Sequence, residues 1–262
     1  MRLTHDIDLQ QFNIQRPDRV RWTATIEQDD VLNSLRSKSL RKFLKNIDEV
    51  LHTHNISWTL NPLTKDEYSQ WFRFYTEKMS HLQYDVLATP EWYDQKLAEG
   101  KTVEGLIFTQ ADILVGAGIV ARTEMRKASL AFKASEKIDM SNISNGNLGA
   151  IIDYFFIREM HRMGVKEISG GRSYNAFGSL TNFGYLEYKT KFYTPAPATN
   201  FSSMMTVPVN EEGDALFYGF DINNPDVLTL YHIKKAGFER SNFTPQMFTT
   251  TNIPYQTIEY LT

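Results

Sequence analysis

Residues 103–135 read VEGLIFTQADILVGAGIVARTEMRKASLAFKAS and contain three runs of apolar and β-branched residues. These runs predict strands at 103–109, 113–121 and 128–135, because such residues pack well on a pleated, half-buried surface. A tight turn at 110–112 joins the first two strands, which favours an antiparallel meander. The stretch therefore predicts the centre of a sheet.

The hydrophobic period changes in the next segment, 142–165, which reads NISNGNLGAIIDYFFIREMHRMGV. Its apolar residues recur every three or four positions, as on one face of a helix, and Gly164 is typical of a helix end. Residues 165–171, VKEISGG, return to a strand pattern. A helix between two strands indicates a crossover connection. The order predicts an α/β (α+β) fold with a mixed, largely antiparallel central sheet and flanking helices.

Helical patterns also precede the sheet. Residues 29–54 show one helical period, and 55–63 has the composition of a strand. Thr64 begins a second helix through the capping box Thr-Lys-Asp-Glu. Thr89-Pro90 predicts the start of a third helix, with Pro at its first position, and Gly100 predicts its end.

The composition excludes several classes of site. The chain of 262 residues has no cysteine, so it has no disulfide, thiol nucleophile or cysteine zinc site. His52 and His54 lie two positions apart on a predicted helix and therefore point to different faces. Because no H-E-x-x-H motif is present either, we expect no metal.

Charge and hydropathy limit the partners. The formal net charge of −3 gives no overall positive field, so any anion site must be local. The first ten residues, MRLTHDIDLQ, lack the apolar run of a signal peptide. The apolar run 113–121 is too short to cross a bilayer. We expect no membrane span and a cytoplasmic protein.

Residues 116–121 match the pattern G-x-G-x-x-A with the sequence GAGIVA. A dinucleotide site needs a strand before this motif and a helix that begins inside it. Here the motif lies within a predicted strand, and another strand follows. Small residues inside a crowded sheet therefore explain it better than a dinucleotide site.

The turn SNISNGNLGA, 141–150, leads from a predicted strand into a predicted helix. Free N–H groups at the start of a helix, together with the helix dipole, suit a phosphate or pyrophosphate. The alternative is a plain N-cap by Ser144, Asn145 or Asn147. The local pattern leaves both interpretations open. The candidate donor-binding residues in this turn are Asn145, Gly146, Asn147 and Gly149.

Basic residues follow a helical spacing before the sheet, at i, i+3, i+4 and i+7. A stripe of this kind is usually a solvated helix face, and it can also contact a phosphate-rich ligand such as a nucleotide or tRNA. The spacing does not separate these alternatives. The residues of the stripe are Lys38, Arg41, Lys42 and Lys45.

Several of these segments resemble a known superfamily. The succession LIFTQADILVGAGIVAR, ASLAFKAS, NGNLGAIIDYFFIREMHRMGV and KEISGG resembles the GNAT acyltransferase fold. SLRSKSLRKFLKNIDEV followed by WFRFYTEKM resembles the leading region of the Fem-type, GNAT-like branch. FGSLTNFGYLEYKTKFY, which contains Tyr188-Lys189, resembles the closing segment of that branch. The resemblance covers about residues 31–195.

The resemblance implies an N-acyltransferase that moves an acyl group from acyl-CoA, as co-substrate, to the amine of a small molecule or peptide. Ordinary GNAT enzymes carry a Q/R-x-x-G-x-G/A phosphate loop. Gly146 and Gly149 are present here, but Ile143 stands where the Gln or Arg belongs. The alternative is a Fem-type aminoacyl transferase that uses aminoacyl-tRNA, which would make tRNA a partner. A catalytically silent GNAT-fold binding module is a further alternative.

The resemblance also implies where the donor is bound. Strands 128–135 and 165–170 would splay apart, so that unpaired backbone groups hold the donor arm while the turn 145–149 caps its phosphates. Gly170 and Gly171 would allow close approach of the backbone. Arg172 would pair with a phosphate or with an acceptor carboxylate.

The chemistry requires a proton donor, a base and stabilisation of an oxyanion. Tyr174 and Tyr188 are the candidate proton donors for the leaving group. Lys189 is the candidate for steadying the oxyanion or a donor phosphate. Glu187 is the candidate base, with Glu167 as the alternative if it faces the cleft.

The resemblance divides the chain into three segments. Residues 1–30 are an N-terminal segment, and 31–198 form the GNAT-like acyltransferase domain. Residues 199–262 are a C-terminal extension that completes or flanks the sheet, with a partial second GNAT half as the alternative. Within this extension, 226–243 predicts a short helix that ends at Gly237 and is followed by a strand.

Overall fold

A computed structural model describes residues 3–26, 30–81, 86–138, 147–198, 203–239, 248 and 252–261. The chain divides into two compact units. The continuous unit is Ala24–Gly171, and the split unit combines Met1–Thr23 with Arg172–Thr262. The predicted boundaries at 30 and 198 concern the extent of an acyltransferase domain and stay a prediction.

The helices and strands are numbered in chain order. The helices are α1 (Val31–Ser34), α2 (Lys38–Leu44), α3 (Ile47–Thr53), α4 (Lys65–His81), α5 (Trp92–Ala98), α6 (Leu148–Arg162) and α7 (Phe183–Phe192). The strands are β1 (Leu3–Asp8), β2 (Ile14–Pro17), β3 (Arg19–Thr23), β4 (Ile56–Pro62), β5 (Thr102–Gln110), β6 (Ile113–Thr123), β7 (Lys127–Ser135), β8 (Glu167–Tyr174), β9 (Thr194–Pro197), β10 (Ser203–Met204), β11 (Thr206–Asn210), β12 (Asp214–Asp221), β13 (Asn224–Lys235) and β14 (Tyr255–Tyr260). Within the described residues, no helix is both long enough and apolar enough to span a membrane.

The sheet of the continuous unit has the order β4-β5-β6-β7-β8, and β8 runs on into the split unit. Strands β4 to β7 are antiparallel neighbours, whereas β7 and β8 are parallel. Ala111 and Asp112 join β5 to β6, both with positive φ, as in the tight turns that match strand twist. Helix α6 connects the parallel pair. The predicted meander and crossover are therefore confirmed.

Helix α6 packs closely against β6, which explains the glycines of the GAGIVA motif. A Cβ atom at Gly116 would lie 2.7 Å from Leu148 Cδ2. A Cβ atom at Gly118 would lie 2.8 Å from Leu130 Cδ1 and 2.9 Å from Ile152 Cγ2. The motif lies inside a strand, as predicted, and its small residues leave room for the helix.

The opposite face of this sheet is covered by α4 and an aromatic cluster. Tyr68, Trp71 and Tyr75 are buried and share a core cluster with Ala117 and Ile119 of β6. The start of α4 is the predicted capping box. The backbone N–H of Thr64 donates to Glu67 Oε2 at 2.7 Å, and the N–H of Glu67 donates to Thr64 Oγ1 at 3.3 Å. Local sequence therefore sets the first turn of this helix.

Two predictions for the leading helices were wrong in detail. Residues 29–54 form the three short helices α1, α2 and α3 rather than one. The chain restarts at Ser37, an extended N-cap that accepts from Leu40 N–H, and at Asn46, the N-cap of α3. Pro90 is not the first helical residue, because α5 begins at Trp92 after a turn in which Trp92 N–H donates to Thr89 O at 3.2 Å.

The split unit contains a sheet with the order β10-β2-β12-β13-β14, and the pairs β1–β11 and β3–β9. All pairs are antiparallel except β13–β14, which is parallel. Asn175 joins its parts. Its side-chain amide donates to Pro17 O and Tyr218 O, and its Oδ1 accepts from Tyr218 N–H. Because Asn175 is fully buried, these bonds satisfy a polar group that burial would otherwise penalise.

The helix predicted within 226–243 is wrong, because Asn224–Lys235 is strand β13. Residues 229–233 are buried on both faces of the sheet, so the strand lacks the alternation that marks a half-buried strand. Gly237 follows β13 in a turn with φ +79°. The strand predicted after it falls largely on 240–247, outside the described residues.

Candidate functional site

Strands β7 and β8 pair over a short distance. Their parallel register consists of Lys127 with Glu167, Ala128 with Ile168 and Ser129 with Ser169. Beyond these pairs β7 continues to residue 135 and β8 to residue 174, and both strands are described throughout. The described lengths beyond the third pair therefore run on without pairing to each other.

A bulge and a glycine lie where this pairing ends. Ile119 pairs with Phe132 and Val120 with Leu130, so Ala131 is an extra residue in β7. A bulge of this kind bends a strand and redirects its peptide groups. In β8, Gly171 has φ +90°, and a Cβ atom there would lie 3.5 Å from Leu130 O. The backbones of both strands change at the same level.

Helix α6 begins with an Asn cap. The side chain of Asn147 accepts from Ala150 N–H at 2.7 Å, which is the plain N-cap interpretation. Gly149 lies in the first turn, and a Cβ atom there would lie 3.2 Å from Asn147 Oδ1. The candidate donor-binding residues Asn145 and Gly146 lie outside the described residues.

A charged pair that the sequence did not indicate joins β7 to α6. Lys133 Nζ donates to the carboxylate of Asp153 and, at 3.1 Å, to Gly149 O. The Asp153 side chain has no exposure. Lys133 and Asp153 lie 20 positions apart in the sequence, within elements that read as an ordinary strand and helix. No local signal could have revealed this contact.

The end of β8 carries two of the predicted residues in the split unit. Arg172 is exposed, and Tyr174 is 43% exposed. The guanidinium of Arg19 lies 3.7 Å from the centroid of the Tyr174 ring, close enough for a cation–π contact. Between Arg172 and Tyr174, Ser173 is buried and accepts from Trp22 Nε1 at 3.0 Å. The strand alternation thus turns Arg172 and Tyr174 away from the side that Ser173 faces.

Helix α7 carries the remaining candidates. Lys189 is only 5% exposed, and its Nζ lies 4.8 Å and 5.5 Å from the ring centroids of Tyr193 and Tyr185. The half-buried Tyr188 packs on Phe192, with a centroid distance of 5.4 Å. Aromatic faces attract an ammonium group, so the two tyrosines stabilise a positive charge on the buried lysine.

Both candidate bases form ion pairs. Glu187 Oε1 lies 2.9 Å from Lys191 Nζ one turn further along α7. Glu167, in the continuous unit, lies 2.5 Å from Lys127 Nζ on the neighbouring strand β7. An ion pair favours the charged carboxylate and so makes it a weaker base.

The basic stripe on α2 differs from the prediction at one position. Lys38, Lys42 and Lys45 are exposed. The guanidinium of Arg41 instead donates to Leu35 O and Arg36 O, at the end of α1. Three of the four positive charges therefore face solvent, and the fourth satisfies carbonyl groups of a helix end.

The candidate residues thus fall into two sets. In the continuous unit, Asn147 and Gly149 lie in the first turn of α6, which Lys133 joins to β7. The split unit holds those on the end of β8 and on α7. No group of three or more His, Asp or Glu side chains able to hold a metal was found in the described part of the chain. The set from the split unit is Arg172, Tyr174, Glu187, Tyr188 and Lys189.

Comparisons with known proteins support the fold. No protein-family model and no curated protein sequence matches the chain. Among solved structures, FemX matches with a TM-score of 0.51 at 9% identity, over 71% of this chain and 61% of FemX. The chain therefore has a GNAT-like fold of the Fem type, as its sequence predicts.

Two further solved structures are less similar. One is a conserved protein of unknown function from Bacteroides thetaiotaomicron VPI-5482, with a TM-score of 0.47 and 13% identity, over 75% of this chain and 61% of that protein. The other is a tandem GNAT protein from the clavulanic acid biosynthesis pathway, with a TM-score of 0.36 and 12% identity, over 61% of this chain and 47% of that protein. The chain spans about three-fifths of the length of FemX and of the Bacteroides protein.

Proposed function

We propose that the protein is an N-acyltransferase that moves an acyl group from an acyl-CoA donor to the amine of a small molecule or peptide. The observation that carries the proposal is the short pairing of β7 and β8, which ends after Ser129 and Ser169. Peptide groups of diverging strands can hydrogen bond an extended ligand in the way that they would bond a neighbouring strand. The pantetheine arm of CoA, with its amide groups, is a ligand of this kind.

The start of α6 completes the proposed donor site. Its first N–H groups and its dipole favour the phosphates of CoA, and Gly149 brings no side chain into the first turn. The positively charged Lys133 lies against the same turn. In this proposal Asn147 keeps its role as the helix cap, and Asn145 and Gly146 precede it in the phosphate-binding turn.

The transfer step needs few groups from the protein. In our proposal Arg172 holds a donor phosphate or an acceptor carboxylate, since an exposed guanidinium can bind either in a bidentate manner. Tyr174 and Tyr188 are the proposed proton donors for the leaving thiolate, with Glu187 as base. Lys189 supplies a positive charge, held by aromatic rings, that favours the oxyanion.

The donor is tested by thermal unfolding with CoA, acetyl-CoA and longer acyl-CoAs. A ligand present at a hundred times its dissociation constant should raise Tm by about 5 °C. Arg172→Ala should reduce the shift, whereas Arg162→Ala, a surface arginine at the other end of α6, should not. Unchanged melting curves with every CoA ester would contradict the proposal. Binding without any acyl transfer to a panel of amines would favour the silent binding module.

The chemistry is tested on α7. Lys189→Met should lower kcat while leaving the dissociation constant of CoA unchanged, if the lysine acts on the oxyanion. Lys191→Met, on the same helix and more exposed, is the matched control. Tyr188→Phe should lower kcat mainly for acceptors that need a protonated leaving group. A Lys189→Met variant with wild-type kcat and a wild-type Tm would exclude the lysine from the reaction.

A second candidate donor is aminoacyl-tRNA. The observation that favours it is the row of exposed lysines on α2, Lys38, Lys42 and Lys45. Replacing all three by Gln should reduce the dependence of tRNA binding on log salt concentration by about three, one for each phosphate contact. Lys65→Gln, an exposed lysine of α4, is the control. Equal filter binding of charged tRNA and random RNA would exclude this donor.

A further inference from the structure

A second polar cluster lies in the split unit, on one face of the sheet β12-β13-β14. His232 pairs with Leu216 on one side and with Thr257 on the other. Residues two apart on a strand share a face, so Asp214 and Tyr255 lie on the same face as His232. The opposite face belongs to the apolar core of this unit. Polar residues from three strands are thus brought together, although no motif in the sequence connects them.

Hydrogen bonds join these side chains into a chain. Asp214 Oδ2 lies 3.2 Å from His232 Nε2, and the hydroxyl of Tyr255 lies 3.3 Å from His232 Nδ1. Thr257 Oγ1 donates to the Tyr255 hydroxyl at 3.0 Å. Because the phenol has one proton and accepts from Thr257, its own proton is directed to Nδ1. The network therefore assigns the His232 proton to Nε2, where it is donated to Asp214.

Burial gives this chain a direction. Asp214 has no exposure and His232 is 4% exposed, whereas Tyr255 is half-buried and Thr257 is exposed. Asn210 Nδ2 donates to the other carboxylate oxygen of Asp214 at 2.7 Å. The carboxylate is thus held from both sides at the buried end. The phenol oxygen stands at the solvent end, where another molecule can reach it.

The arrangement has the parts of an activated nucleophile: a hydroxyl, a histidine base and a carboxylate that orients the base. We propose that Asp214, His232 and Tyr255 form a nucleophilic site that accepts acyl groups from activated esters, thioesters or acyl imidazoles. This site is additional to the proposed donor site and uses none of its residues. The carboxylate would stabilise the imidazolium that forms when His232 takes the phenol proton.

The proposed step transfers one acyl group. The oxygen of Tyr255 forms a bond to the carbonyl carbon, and its proton moves to His232 Nδ1. The bond from the carbonyl carbon to the leaving group then breaks. The leaving group keeps the electron pair and takes the proton back from Nδ1. The products are an acyl-tyrosine ester and the protonated leaving group, so no other reactant is needed.

The phenol needs this base at neutral pH. Burial raises the pKa of Tyr255, and the hydrogen bond from Thr257 and the positive charge of Lys234 oppose that shift without cancelling it. Lys234 is itself held 3.0 Å from Glu259 and donates to Phe238 O at 3.1 Å. The hydroxyl therefore stays protonated, and its reactivity depends on His232.

The test uses N-acetylimidazole, a small acyl donor, with the full-length protein near neutral pH. Acetylation of each tyrosine is followed over time by mass spectrometry of peptides. We expect Tyr255 to be acetylated at least about tenfold faster than Tyr174, although Tyr174 is the more exposed, because general base catalysis outweighs access. His232→Gln should slow Tyr255 below Tyr174 and leave the rate at Tyr174 unchanged. A slower reaction at Tyr255 than at Tyr174 in the wild-type protein would overturn the proposal, as would a rate that His232→Gln does not change.

A second measurement does not depend on a variant that removes the histidine. The ¹⁵N chemical shifts of His232 in the wild-type protein distinguish its two neutral tautomers. A proton on Nε2 supports the proposal, and a proton on Nδ1 overturns it, because that nitrogen could not then accept from Tyr255. Thr257→Val, a substitution at an exposed position, should keep the Tyr255 rate above that of Tyr174 while removing the donor to the phenol oxygen. Loss of that preference in a folded Thr257→Val protein would also overturn the proposal.

Discussion

The ammonium of Lys133 bonds the carboxylate of Asp153, and that carboxylate has no contact with solvent. The same ammonium bonds the carbonyl of Gly149 in the first turn of α6. A single side chain therefore ties β7, beyond the point where it leaves β8, to the start of the crossover helix. The pair holds in place the two elements that the proposed donor site requires.

Replacing Lys133 by Met should lower the free energy of unfolding by about 3 kcal/mol, because it leaves a buried carboxylate without a partner. Urea unfolding at neutral pH measures the loss. Adding Asp153→Asn to Lys133→Met should recover part of it, since the double variant buries no uncompensated charge. A single variant within about 0.5 kcal/mol of the wild type would show that Asp153 has another source of compensation.

The capping box at the start of α4 should make stability depend on pH. The bond from Thr64 N–H, followed by that from the Thr64 hydroxyl, holds the pKa of Glu67 below its usual range. A carboxyl with a lowered folded pKa stabilises the protein above its unfolded value, and this stabilisation is lost as the pH falls through the folded value. Glu67→Gln should therefore destabilise the protein at neutral pH, and the difference from wild type should vanish at strongly acidic pH. Ser69→Ala on the same helix should show no such pH dependence.

Gly178 should not tolerate a side chain. It has φ +93°, and a Cβ atom there would lie 2.1 Å from Cζ of Phe183. Gly178→Ala should cost about 3 kcal/mol through backbone strain and ring displacement together. Gly237→Ala is the matched control, because Gly237 has a similar φ of +79° with nothing within 4 Å, and should cost about 1 kcal/mol. Equal losses of Tm in the two variants would mean that the Phe183 ring moves aside freely.

Gly118 should be restricted by packing rather than by its backbone. Gly118→Ala should cost about 1–3 kcal/mol, because the new methyl group meets Leu130 and Ile152 at under 3 Å. Adding Ile152→Val should recover part of the loss, since it removes a methylene from the crowded side. Gly184→Ala in α7, where the nearest atom lies at 3.5 Å, should be neutral or stabilising. A harmless Gly118→Ala would contradict the explanation given for the GAGIVA motif.

The parts of the fold that the sequence predicted correctly depend on local signals. The capping box of Thr64 and Glu67, the turn at Ala111 and Asp112, and the end of α6 at Gly164 each need only neighbouring residues. The meander and the crossover follow from such signals in order along the chain. This is why the region 103–171 was predicted well, including the parallel pairing of β7 with β8.

The errors occur where partners distant in sequence override local preference. Strand β13 was taken for a helix because its central residues are buried on both faces by β12 and β14, which hides the period of two. Lys133 with Asp153, and Asp214 with His232, were missed for the same reason: each contact exists only after two elements pack together. The roles proposed for Arg172, Tyr188 and Lys189 stay predictions.

The split unit has a consequence for the order in which the chain is made. Strand β1 pairs with β11 and β2 with β12, and Arg16 reaches a carbonyl 190 positions further along at Thr206. All strands that pair within the continuous unit have been synthesised by residue 171, before either of those partners exists. The ribosome therefore releases β1 and β2 as unpaired edges that must wait for the last third of the chain, a period in which a chaperone or an intermolecular strand could bind them.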